Sequence, residues 1–552
     1  MTNARKFCKD IRPMGLALIF SVIAAALSAC GAPASTQATS CENLSSVKLE
    51  HAVISSARAV SAGRFFQWRT AFIGVPFFNV PASCRIKVVS EPTSDSHINI
   101  EIWLPLNQWN GKFQGLGNGG FAGAIDRMGL ALAVEKGYAA ASTDAGHEAS
   151  DRDGSWALRH VEKIRDYGYR AIHETAIIAK VLITAFYGKA PKFSYFDGGS
   201  NGGREGLMEA QRFPADYDGI VAGCPALDPS STLPVWAWIQ QSVSETPGAH
   251  ISPAKLKTIA AAVNQSCDAQ DGVRDGVIDD PRACRFDPAV LECRGPDADS
   301  CLTRPQVKAL RDIYSGPPAK SPTELRRGFE PGGELGGSGW QDWLSGSRPA
   351  KSVQYGYALE FYRYLVYDDP KWNLERFDYA RDQDVMRVRL GTILDATDPD
   401  LSAFQARGGK LIMYHGWNDP ALPPRMTIAY YQQIQERMGH EVADSFVRLY
   451  MVPGMQHCFG GPGPNTFGQL PPGGTADPHY NVSAALERWV EIGTPPADII
   501  AGKNKDDLKA LIVPAEAKPL RTRPICVYPR VARWNGKGST DAAENFTCLP
   551  EN

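Results

Sequence analysis

The sequence predicts an α/β protein with a mostly parallel sheet and a large inserted lid domain. Short apolar runs bounded by Gly, Pro and Asn indicate buried strands, and helical patterns separate several of them. Strands that alternate with helices indicate a parallel sheet. This alternation is lost between about residues 227 and 395, which are rich in Pro, Gly, Trp and Cys, and then resumes. We therefore expect core segments at 41–226 and 396–552 around a lid at 227–395.

Seven apolar runs are the strand candidates, and helical spacing follows several of them. In parallel sheets, chemistry lies at the carboxyl ends of the strands, so the residues that end each run are the first candidates for function. The strand candidates are HINIEIWLPL, KFQGLGNGGF, GYAAASTDAG, KFSYFDGG, DGIVAGCPA, KLIMYHGWND and VRLYMVPGM. The helix candidates among them are YRAIHETAIIAKVLITAFYG, REGLMEAQRF and MTIAYYQQIQERMG.

Composition and charge describe a soluble globular protein. The 552 residues are 43% hydrophobic and 21% charged, which is the usual balance for such chains. The net charge of -2 gives no reason to expect nucleic acid or an anionic membrane as the main partner.

The N-terminus has the pattern of an export signal. Four basic residues precede the run LALIFSVIAAALSAC, which is too short for a comfortable membrane span. Its end, LSAC, resembles a bacterial lipobox in which Cys30 would be lipidated; plain cleavage after a small residue is the alternative. We expect residues 1–29 to be a signal peptide and 30–40 a polar tether. The protein would then be periplasmic, an outer-membrane lipoprotein, or secreted.

Export leads us to interpret the cysteines as disulfides. Of the twelve cysteines, Cys8 and Cys30 belong to the leader, which leaves an even number. Proximity in the sequence suggests the pairs Cys267–Cys284, Cys293–Cys301 and Cys526–Cys548, and we expect Cys41–Cys84 to tie the mature N-terminus down. Cys224 and Cys458 remain.

The stretch YFDGGSNGGREGL places Ser200 in a Gly-x-Ser-x-Gly pattern. Alone this pattern is weak, because a Gly-rich turn matches it by chance. An apolar strand leads in and a helix leads out, however, as a nucleophile elbow requires. The glycines permit the tight turn, and the backbone N–H of Asn201 would point at a substrate carbonyl.

A nucleophilic serine needs a base and an acid, and in this strand–helix order both follow the serine in the chain. Asp419 ends the run YHGWND, and His457 lies in VPGMQHCFGGPGP. Both occupy Gly- and Pro-rich loops at strand ends. Asp144 and Asp197 precede Ser200, so we interpret them as structural.

Other strand-end residues complete the predicted site. A second oxyanion donor is expected in GLGNGGFAG, from the N–H of Gly119 or Gly120; a simple turn is the alternative. His415 is predicted to form a wall of the substrate pocket, with a structural histidine as the alternative. Leu422, just after the acid, is predicted to line the pocket.

The lid contains an acidic loop, CDAQDGVRDGVIDDPRAC. Asp268, Asp271 and Asp275 are spaced like carboxylates turned toward one centre, and backbone carbonyls of Val273 and Val277 could join them. Hard oxygen ligands suit Ca²⁺, and close carboxylates repel one another without a cation. We predict a structural calcium site; a solvated acidic loop is the alternative. Asp279 could add a further carboxylate.

At this point the chain resembles the tannase/feruloyl esterase family, which also includes the enzyme that hydrolyses mono(2-hydroxyethyl) terephthalate. The resemblance covers nearly all of the mature chain. It rests on GGSNGGREGLMEAQRFPADYDGIVAGCPA, YHGWND and VPGMQHCFGGPG in that order. It implies an α/β-hydrolase core with a large lid, ester hydrolysis by Ser200, His457 and Asp419, and the same structural calcium in the lid.

The sequence departs from the family pattern at one cysteine. The family has a cysteine just before the nucleophile, bonded to one just after the histidine. Here Cys458 is present, but Gly199 occupies the other position. Cys224 ends the strand after the nucleophile helix, so we predict a relocated Cys224–Cys458 bond; two buried thiols are the alternative.

The resemblance implies small aromatic esters as substrates: hydroxycinnamate, gallate or terephthalate monoesters. The segment LVYDDPKWNLERFDY is more like the feruloyl esterase branch, which favours plant phenolic esters. Two alternatives stay open, namely another hydrolase on this fold and a non-catalytic, calcium-stabilised binding module. No redox or nucleotide cofactor is implied.

Overall fold

A large sheet organises the chain. The computed structural model describes residues 39–550 apart from 72, 319–327, 337–338, 470–474 and 514–516. The predicted signal peptide, Cys30 and most of the tether lie outside the described residues. The strands are β1 Ala52–Val60, β2 Gly63–Phe66, β3 Phe77–Val80, β4 Ser83–Ser90, β5 Ile98–Pro105, β6 Lys112–Leu116, β7 Ala139–Thr143, β8 Phe193–Gly199, β9 Gly219–Gly223, β10 Lys410–Gly416, β11 Val447–Val452, β12 Asp498–Lys503, β13 Arg521–Cys526, β14 Val531–Trp534 and β15 Phe546–Leu549.

Nine of these strands form one sheet in the order β1-β4-β5-β7-β6-β8-β9-β10-β11. From β7 to β11 every pairing is parallel, whereas β1, β4 and β5 add antiparallel strands at one side. The seven predicted runs correspond to β5–β11, so the predicted α/β class with a mostly parallel sheet is confirmed. Strands β1–β4 and the pairs β12–β13 and β14–β15 were not predicted.

Helices cover the sheet and supply the segment between β9 and β10. In the described part of that segment no strand joins the large sheet, which fits a lid inserted between two core segments. None of the described helices has the length and hydropathy that crossing a bilayer requires. The helices are α1 Trp68–Ala71, α2 Arg127–Glu135, α3 Val161–Arg165, α4 Ala171–Tyr187, α5 Asn201–Arg212, α6 Pro229–Gln240, α7 Pro253–Cys267, α8 Arg304–Ser315, α9 Val353–Glu360, α10 Tyr379–Met386, α11 Thr392–Leu394, α12 Ser402–Ala406, α13 Pro424–Met438, α14 His440–Phe446, α15 Val482–Ile492 and α16 Asp507–Ile512.

Local sequence signals explain where the lid helices start. A proline in the first turn of a helix costs no hydrogen bond, because the N–H groups of that turn have no partner within the helix. A polar side chain just before the helix accepts hydrogen bonds from these N–H groups. Asp228 caps α6 ahead of Pro229, and Ser252 caps α7 ahead of Pro253. At α8, Thr303 and Gln306 form a reciprocal capping box.

The central strands are buried on both faces, as parallel strands between helices must be. Their side chains alternate between two hydrophobic clusters because successive residues point to opposite faces. Phe196 and Ile220 belong to the cluster that includes α4 and the lid. Their neighbours Tyr195 and Val221 belong to the cluster formed with α2 and α15. The two clusters therefore hold the strand ends from both faces of the sheet, and the candidate site lies at these ends.

Five disulfides join distant or loop-forming segments, and they are the predicted pairs. Cys41–Cys84 fixes the start of the described chain to β4. Cys224–Cys458 joins the end of β9 to the loop after β11 across 234 residues of sequence. The remaining pairs are Cys267–Cys284, Cys293–Cys301 and Cys526–Cys548.

We expect the mature chain without residues 1–30 to show no free thiol when it is unfolded without reductant, since all its cysteines lie in these pairs. Thiol titration in denaturant checks this, with a reduced sample as the positive control. Two free thiols that peptide mapping assigns to Cys224 and Cys458 would contradict the bond between these cysteines.

Candidate active site

Ser200 lies at the turn between β8 and α5 in a backbone conformation that is rare for a side-chain-bearing residue, with φ 61° and ψ -121°. Its N–H donates to the carbonyl of Gly223 on the next strand, at 3.0 Å. The turn needs glycine because a Cβ on Gly198 would lie 2.5 Å from the Gly202 carbonyl oxygen. Such strain marks functional turns and presents the Ser200 hydroxyl above the strand end.

The structure brings the three predicted catalytic side chains together. Ser200 Oγ lies 3.0 Å from His457 Nε2, and His457 Nδ1 lies 2.8 Å from Asp419 Oδ2. These are hydrogen-bond distances between side chains that are 257 and 38 residues apart in sequence. The arrangement can pass a proton from the serine to the imidazole while the carboxylate fixes which ring nitrogen carries the other proton.

Asp419 is buried and accepts four hydrogen bonds. Its Oδ1 accepts the backbone N–H groups of Ala421 and Leu422, at 2.7 and 2.9 Å. Its Oδ2 accepts from His457 and, at 3.1 Å, from Nε2 of His415. Burial by itself would raise the pKa of Asp419, but the two histidines hold that pKa below its ordinary value. The carboxylate is therefore ionised whenever His457 needs it.

The prediction for His415 as a pocket wall is wrong. His415 is only 1% exposed and lies behind Asp419, where Nδ1 meets the hydroxyl of Thr427 at 2.7 Å. The cavity beside Ser200 is not lined by His415. We predicted that His415 lines the pocket because it lies at the end of a strand. Side chains alternate in direction along β10, however, and that of His415 points to the buried side. Leu422 does line the cavity, as predicted.

The Cys224–Cys458 bond fastens the loop that carries His457. Both cysteines are buried, and both have positive φ angles, 34° and 61°. Cys458 Sγ lies 3.9 Å from His457 Nε2, and the N–H of Cys224 donates to the Tyr414 carbonyl on β10. In the chain-entropy model, closing so long a loop stabilises the fold by roughly 5 kcal/mol. The bond thus ties the histidine loop to the strand beside the nucleophile.

A cavity of about 370 Å³ opens beside the hydroxyl of Ser200. Its wall combines the core loops with lid residues, and most of it is apolar. Trp343 from the lid packs edge-on against the His457 ring, with centroids 4.9 Å apart. Aromatic lining residues are Tyr167, Trp236, Trp343, Tyr357, Phe361 and Phe459. A planar, aromatic ligand of small size fits this chemistry.

Comparison with known proteins decides the family. The family model described as tannase and feruloyl esterase matches residues 84–549. The chain belongs to the tannase and feruloyl esterase family. It is 40% identical to an uncharacterized esterase of Xanthomonas campestris, over 96% of this chain and 94% of that one. It is 32% identical to a probable feruloyl esterase B-2 of Neosartorya fischeri, over 84% of this chain and 86% of that one.

Solved structures agree with this membership. The crystal structure of feruloyl esterase B from Aspergillus oryzae is 28% identical, with a TM-score of 0.83, covering 92% of this chain and 99% of that chain. Tannin acyl hydrolase from Aspergillus niger, at 22% identity and a TM-score of 0.70, shares the fold over 92% of this chain and 93% of that one. The esterase described here is thus a carboxylic ester hydrolase on an α/β-hydrolase fold.

The predicted oxyanion donors lie around the same cavity. Gly119, Gly120 and Asn201 all line it together with Ser200. Within the described residues, no hydrogen bond engages their backbone N–H groups. Gly120 has φ 56°, and a Cβ there would lie 2.3 Å from the Tyr357 hydroxyl, so only glycine fits. Free N–H groups in an apolar cavity can stabilise a developing oxyanion.

The other strand-end side chains have structural roles. Asp144 accepts from the backbone N–H groups of Asn99 and Gly146 and from the Asn99 amide, and burial raises its pKa to about 6. Asp197 is buried and accepts from the Ser483 hydroxyl at 2.8 Å. His147 stacks on Trp156 with ring centroids 3.8 Å apart. None of these three groups lines the cavity beside Ser200.

The acidic loop of the lid closes on itself through the predicted residues. Asp271 Oδ1 accepts the N–H of Val273 at 2.8 Å, and Asp275 Oδ1 accepts that of Val277 at 3.1 Å. Asp268 Oδ1 accepts the N–H groups of Asp275 and Gly276. These hydrogen bonds run within the loop from residue 268 to residue 277, which holds all five residues that were predicted as calcium ligands.

The charge of this loop is only partly balanced by protein cations. Arg521 and Arg523 bind Asp275 Oδ2 at 3.1 and 2.7 Å. Asp279 is buried, its Oδ1 has no hydrogen-bond partner in the described structure, and Arg523 stays 3.9 Å away. Burial, followed by the charge of Asp271, raises the pKa of Asp279 to about 7. Arg282 pairs with Asp280, and the charge of Arg533 also acts on Asp279, so arginines offset part of the charge of the loop. Carboxylate oxygens such as the unpartnered Oδ1 of Asp279 are the donors that suit a hard divalent cation.

Sequence reasoning missed several lining residues of the esterase. Phe459 follows the bonded Cys458 directly, so its position beside a functional residue could have suggested it. Tyr167 and Phe361 come from helices whose patterns do not show which residue faces a cavity. The second contact to the catalytic acid, from His415, carries no sequence signal beyond its position four residues before Asp419.

Replacing His415 by asparagine should lower kcat about ten- to a hundredfold and change KM by less than about twofold. The variant H415N loses one donor to Asp419 without altering the cavity wall, so the acid is oriented less firmly. Steady-state kinetics on an aromatic ester, with a thermal unfolding curve, measures both effects. H147N, another buried histidine, serves as the matched control and should keep wild-type kcat. Equal kcat in H415N and wild type would contradict this role.

Proposed function

We propose that this protein is a serine esterase that cleaves small aromatic, phenolic esters such as feruloyl or galloyl esters through an acyl-enzyme. The main observation behind this proposal is that Ser200, His457 and Asp419 are joined by hydrogen bonds beside an aromatic-lined cavity. A non-catalytic binding module would have no use for a strained serine bonded to an oriented imidazole.

The reaction proceeds in two balanced halves. Ser200 Oγ attacks the ester carbonyl carbon while its proton moves to His457 Nε2, and a tetrahedral oxyanion forms. The bond to the alcohol oxygen then breaks, His457 returns the proton to the leaving alcohol, and the acyl group stays on Ser200. Water repeats the sequence, so the acid is released and the serine is restored.

The surrounding groups act on charge as it develops. The N–H groups of Asn201 and of Gly119 or Gly120 donate hydrogen bonds to the oxyanion. The negatively charged oxygen of the transition state is a stronger hydrogen-bond acceptor than the neutral carbonyl oxygen of the substrate. Asp419 stabilises the imidazolium form of His457 by its charge and keeps Nδ1 protonated. The two histidines hold the pKa of Asp419 below its ordinary value, so the carboxylate is ionised in this role.

The cavity supports an aromatic substrate. Trp236, Trp343 and Tyr357 contribute ring faces and edges on the lid side, and Leu422 lies near the acid. Trp343 and Tyr357 are nearly parallel, at 10°, with centroids 6.4 Å apart. The family model described as tannase and feruloyl esterase and the relatives named as feruloyl esterases support phenolic esters.

We also propose export with a lipid on Cys30. The disulfides support an oxidising compartment, because such bonds do not persist in a reducing cytosol. Cys41–Cys84 holds the first described residues against the fold. The tether at 30–40 would separate a lipidated Cys30 from this fixed point.

A structural calcium completes the proposal. Asp268, Asp271 and Asp275 would hold it with carbonyl groups of Val273 and Val277, and the ion would supply positive charge where carboxylates crowd. The loop also borders the catalytic loops: a Cβ on Gly454, three residues before His457, would lie 3.1 Å from Val277 Cγ1. Calcium would therefore stiffen the site without touching substrate.

We expect hydrolysis of methyl ferulate and methyl gallate to exceed that of the terephthalate monoester and of long-chain lipid esters. Replacement S200A should lower kcat by roughly 10⁴-fold or more, because removing the nucleophile leaves only binding and the oxyanion donors. Product formation by chromatography measures both.

The control is S483A, which changes a serine that contacts buried Asp197 and does not line the cavity; it should keep wild-type kcat. Activity in S200A equal to wild type would refute the serine mechanism. Preference for long-chain lipid esters alone would refute the phenolic substrate class.

Chelation should remove about one calcium ion per chain and lower the melting temperature. Calcium at a hundredfold excess over its Kd stabilises a fold by about 2.7 kcal/mol. Elemental analysis of the purified protein and thermal unfolding with and without calcium measure this. The variant D271N should bind calcium less tightly and show a smaller shift, while D287N, an exposed aspartate of the lid, should match wild type. No bound calcium and no shift would contradict the site.

A further inference from the structure

The hairpin formed by β2 and β3 carries an exposed aromatic face. Phe66 is 56% exposed, Trp68 72% and Phe77 39%. Phe66 and Phe77 are cross-strand partners that pack edge to face, with ring centroids 5.5 Å apart. The Arg64 guanidinium lies 4.1 Å above the Phe77 ring. We call Arg64, Phe66, Trp68 and Phe77 the aromatic hairpin face.

The inner side of the same hairpin is anchored to the core. Phe78 and Val80 are buried, and Phe65 packs edge-on against buried Trp103 on β5, at 5.8 Å. Alternation along the two strands thus sends one set of rings inward and the other outward. The aromatic hairpin face is therefore the outer side of a hairpin whose inner side packs against the core.

The charged residues of the hairpin and its flanking strands are basic only, while Glu42 and Glu101 approach from other elements, at Ala59 and opposite Lys87. Between residues 51 and 90 the chain has five Arg and Lys residues and neither Asp nor Glu. The net charge of -2 for the whole chain hides this local imbalance. Exposed aromatic rings beside basic side chains are typical of surfaces that rest on an anionic lipid interface, where rings enter the headgroup layer and cations meet phosphate.

The register of the sheet places this face away from the catalytic residues. Val60, at the end of β1, pairs with Ser83, and Ser83 pairs with Pro105 at the end of β5. Thr143, at the carboxyl end of β7, pairs near the other end of β5, with Ile100. Because Ser200 follows the carboxyl end of parallel β8, the hairpin and the cavity lie at opposite edges of the sheet.

The start of the described chain lies at the hairpin edge. Cys41 is bonded to Cys84, which pairs with Ala59 just before the hairpin begins. A stretched tether from residue 30 to residue 40 spans roughly 35–40 Å. A lipid on Cys30 would therefore hold near the membrane the end of the sheet that carries the hairpin, and not the end that carries the cavity.

We propose that the aromatic hairpin face rests on an anionic phospholipid bilayer and orients the esterase with its cavity facing away from the membrane. A single attachment at Cys30 does not fix the orientation of the fold, whereas a second contact selects one. The cavity is then open to esters that approach from the aqueous side.

The test uses the mature protein with C30S, so that no lipid contributes, and vesicles of phosphatidylcholine with or without phosphatidylglycerol. We expect cosedimentation with the anionic vesicles, weaker binding to neutral ones, and release as salt rises. F66S/W68S should bind at least about tenfold more weakly, since two exposed rings are removed. Y480S, which removes a ring that is 49% exposed elsewhere, is the matched control and should bind like wild type.

Ester hydrolysis separates this proposal from the proposed function, because both variants should keep wild-type kcat in solution. Equal binding of F66S/W68S and the parent protein, or no preference for anionic vesicles, would overturn the proposal. A different result would also overturn it: the parent protein binds insoluble arabinoxylan but not vesicles, and F66S/W68S no longer binds arabinoxylan. The aromatic hairpin face would then be a polysaccharide-binding surface. Concentration-dependent dimers that disappear in F66S/W68S would overturn it in favour of a subunit contact.

Discussion

One buried carboxylate organises the site of this esterase. Asp419 accepts four hydrogen bonds, two from its own loop and two from histidines. Without those donors, burial would raise the pKa of Asp419 and favour its neutral form. The loop after β10 therefore holds, through its N–H groups, the carboxylate that orients the His457 ring. Ser200 and the cavity, which Asn201, Gly119 and Gly120 also line, lie beside the ring that Asp419 positions.

The rest of the fold holds the three side chains at that distance. Parallel strands bring their carboxyl ends to one edge, and glycines at 198, 202 and 120 allow backbone to approach where a Cβ would collide. The Cys224–Cys458 bond ties the histidine loop to the end of β9. The lid adds the apolar walls, which exclude water and strengthen charge interactions inside the cavity.

Much of this could be predicted from the sequence because each signal was local. Strands buried on both faces appear as continuous apolar runs, so β5–β11 were found, and their ends gave Ser200, Asp419 and His457. Strands β1 and β4 are antiparallel; β1 alternates between exposed and partly buried residues, and charged residues interrupt the apolar ones in β4, so neither gives a continuous apolar run. His415 was misplaced because its direction depends on how β10 packs against α13. The lid aromatics could not be sorted, since wall and core positions in irregular segments share the same composition.

The most direct test of the central claim is a crystal structure of the protein after reaction with an aryl phosphonate, which mimics the tetrahedral intermediate. The account predicts phosphorus bonded to Ser200 Oγ and His457 held between that oxygen and Asp419. The phosphonyl oxygen should lie within hydrogen-bond distance of the N–H groups of Asn201 and Gly119 or Gly120. Phosphonate attached to another residue, or a His457 ring that does not contact Asp419, would contradict the account.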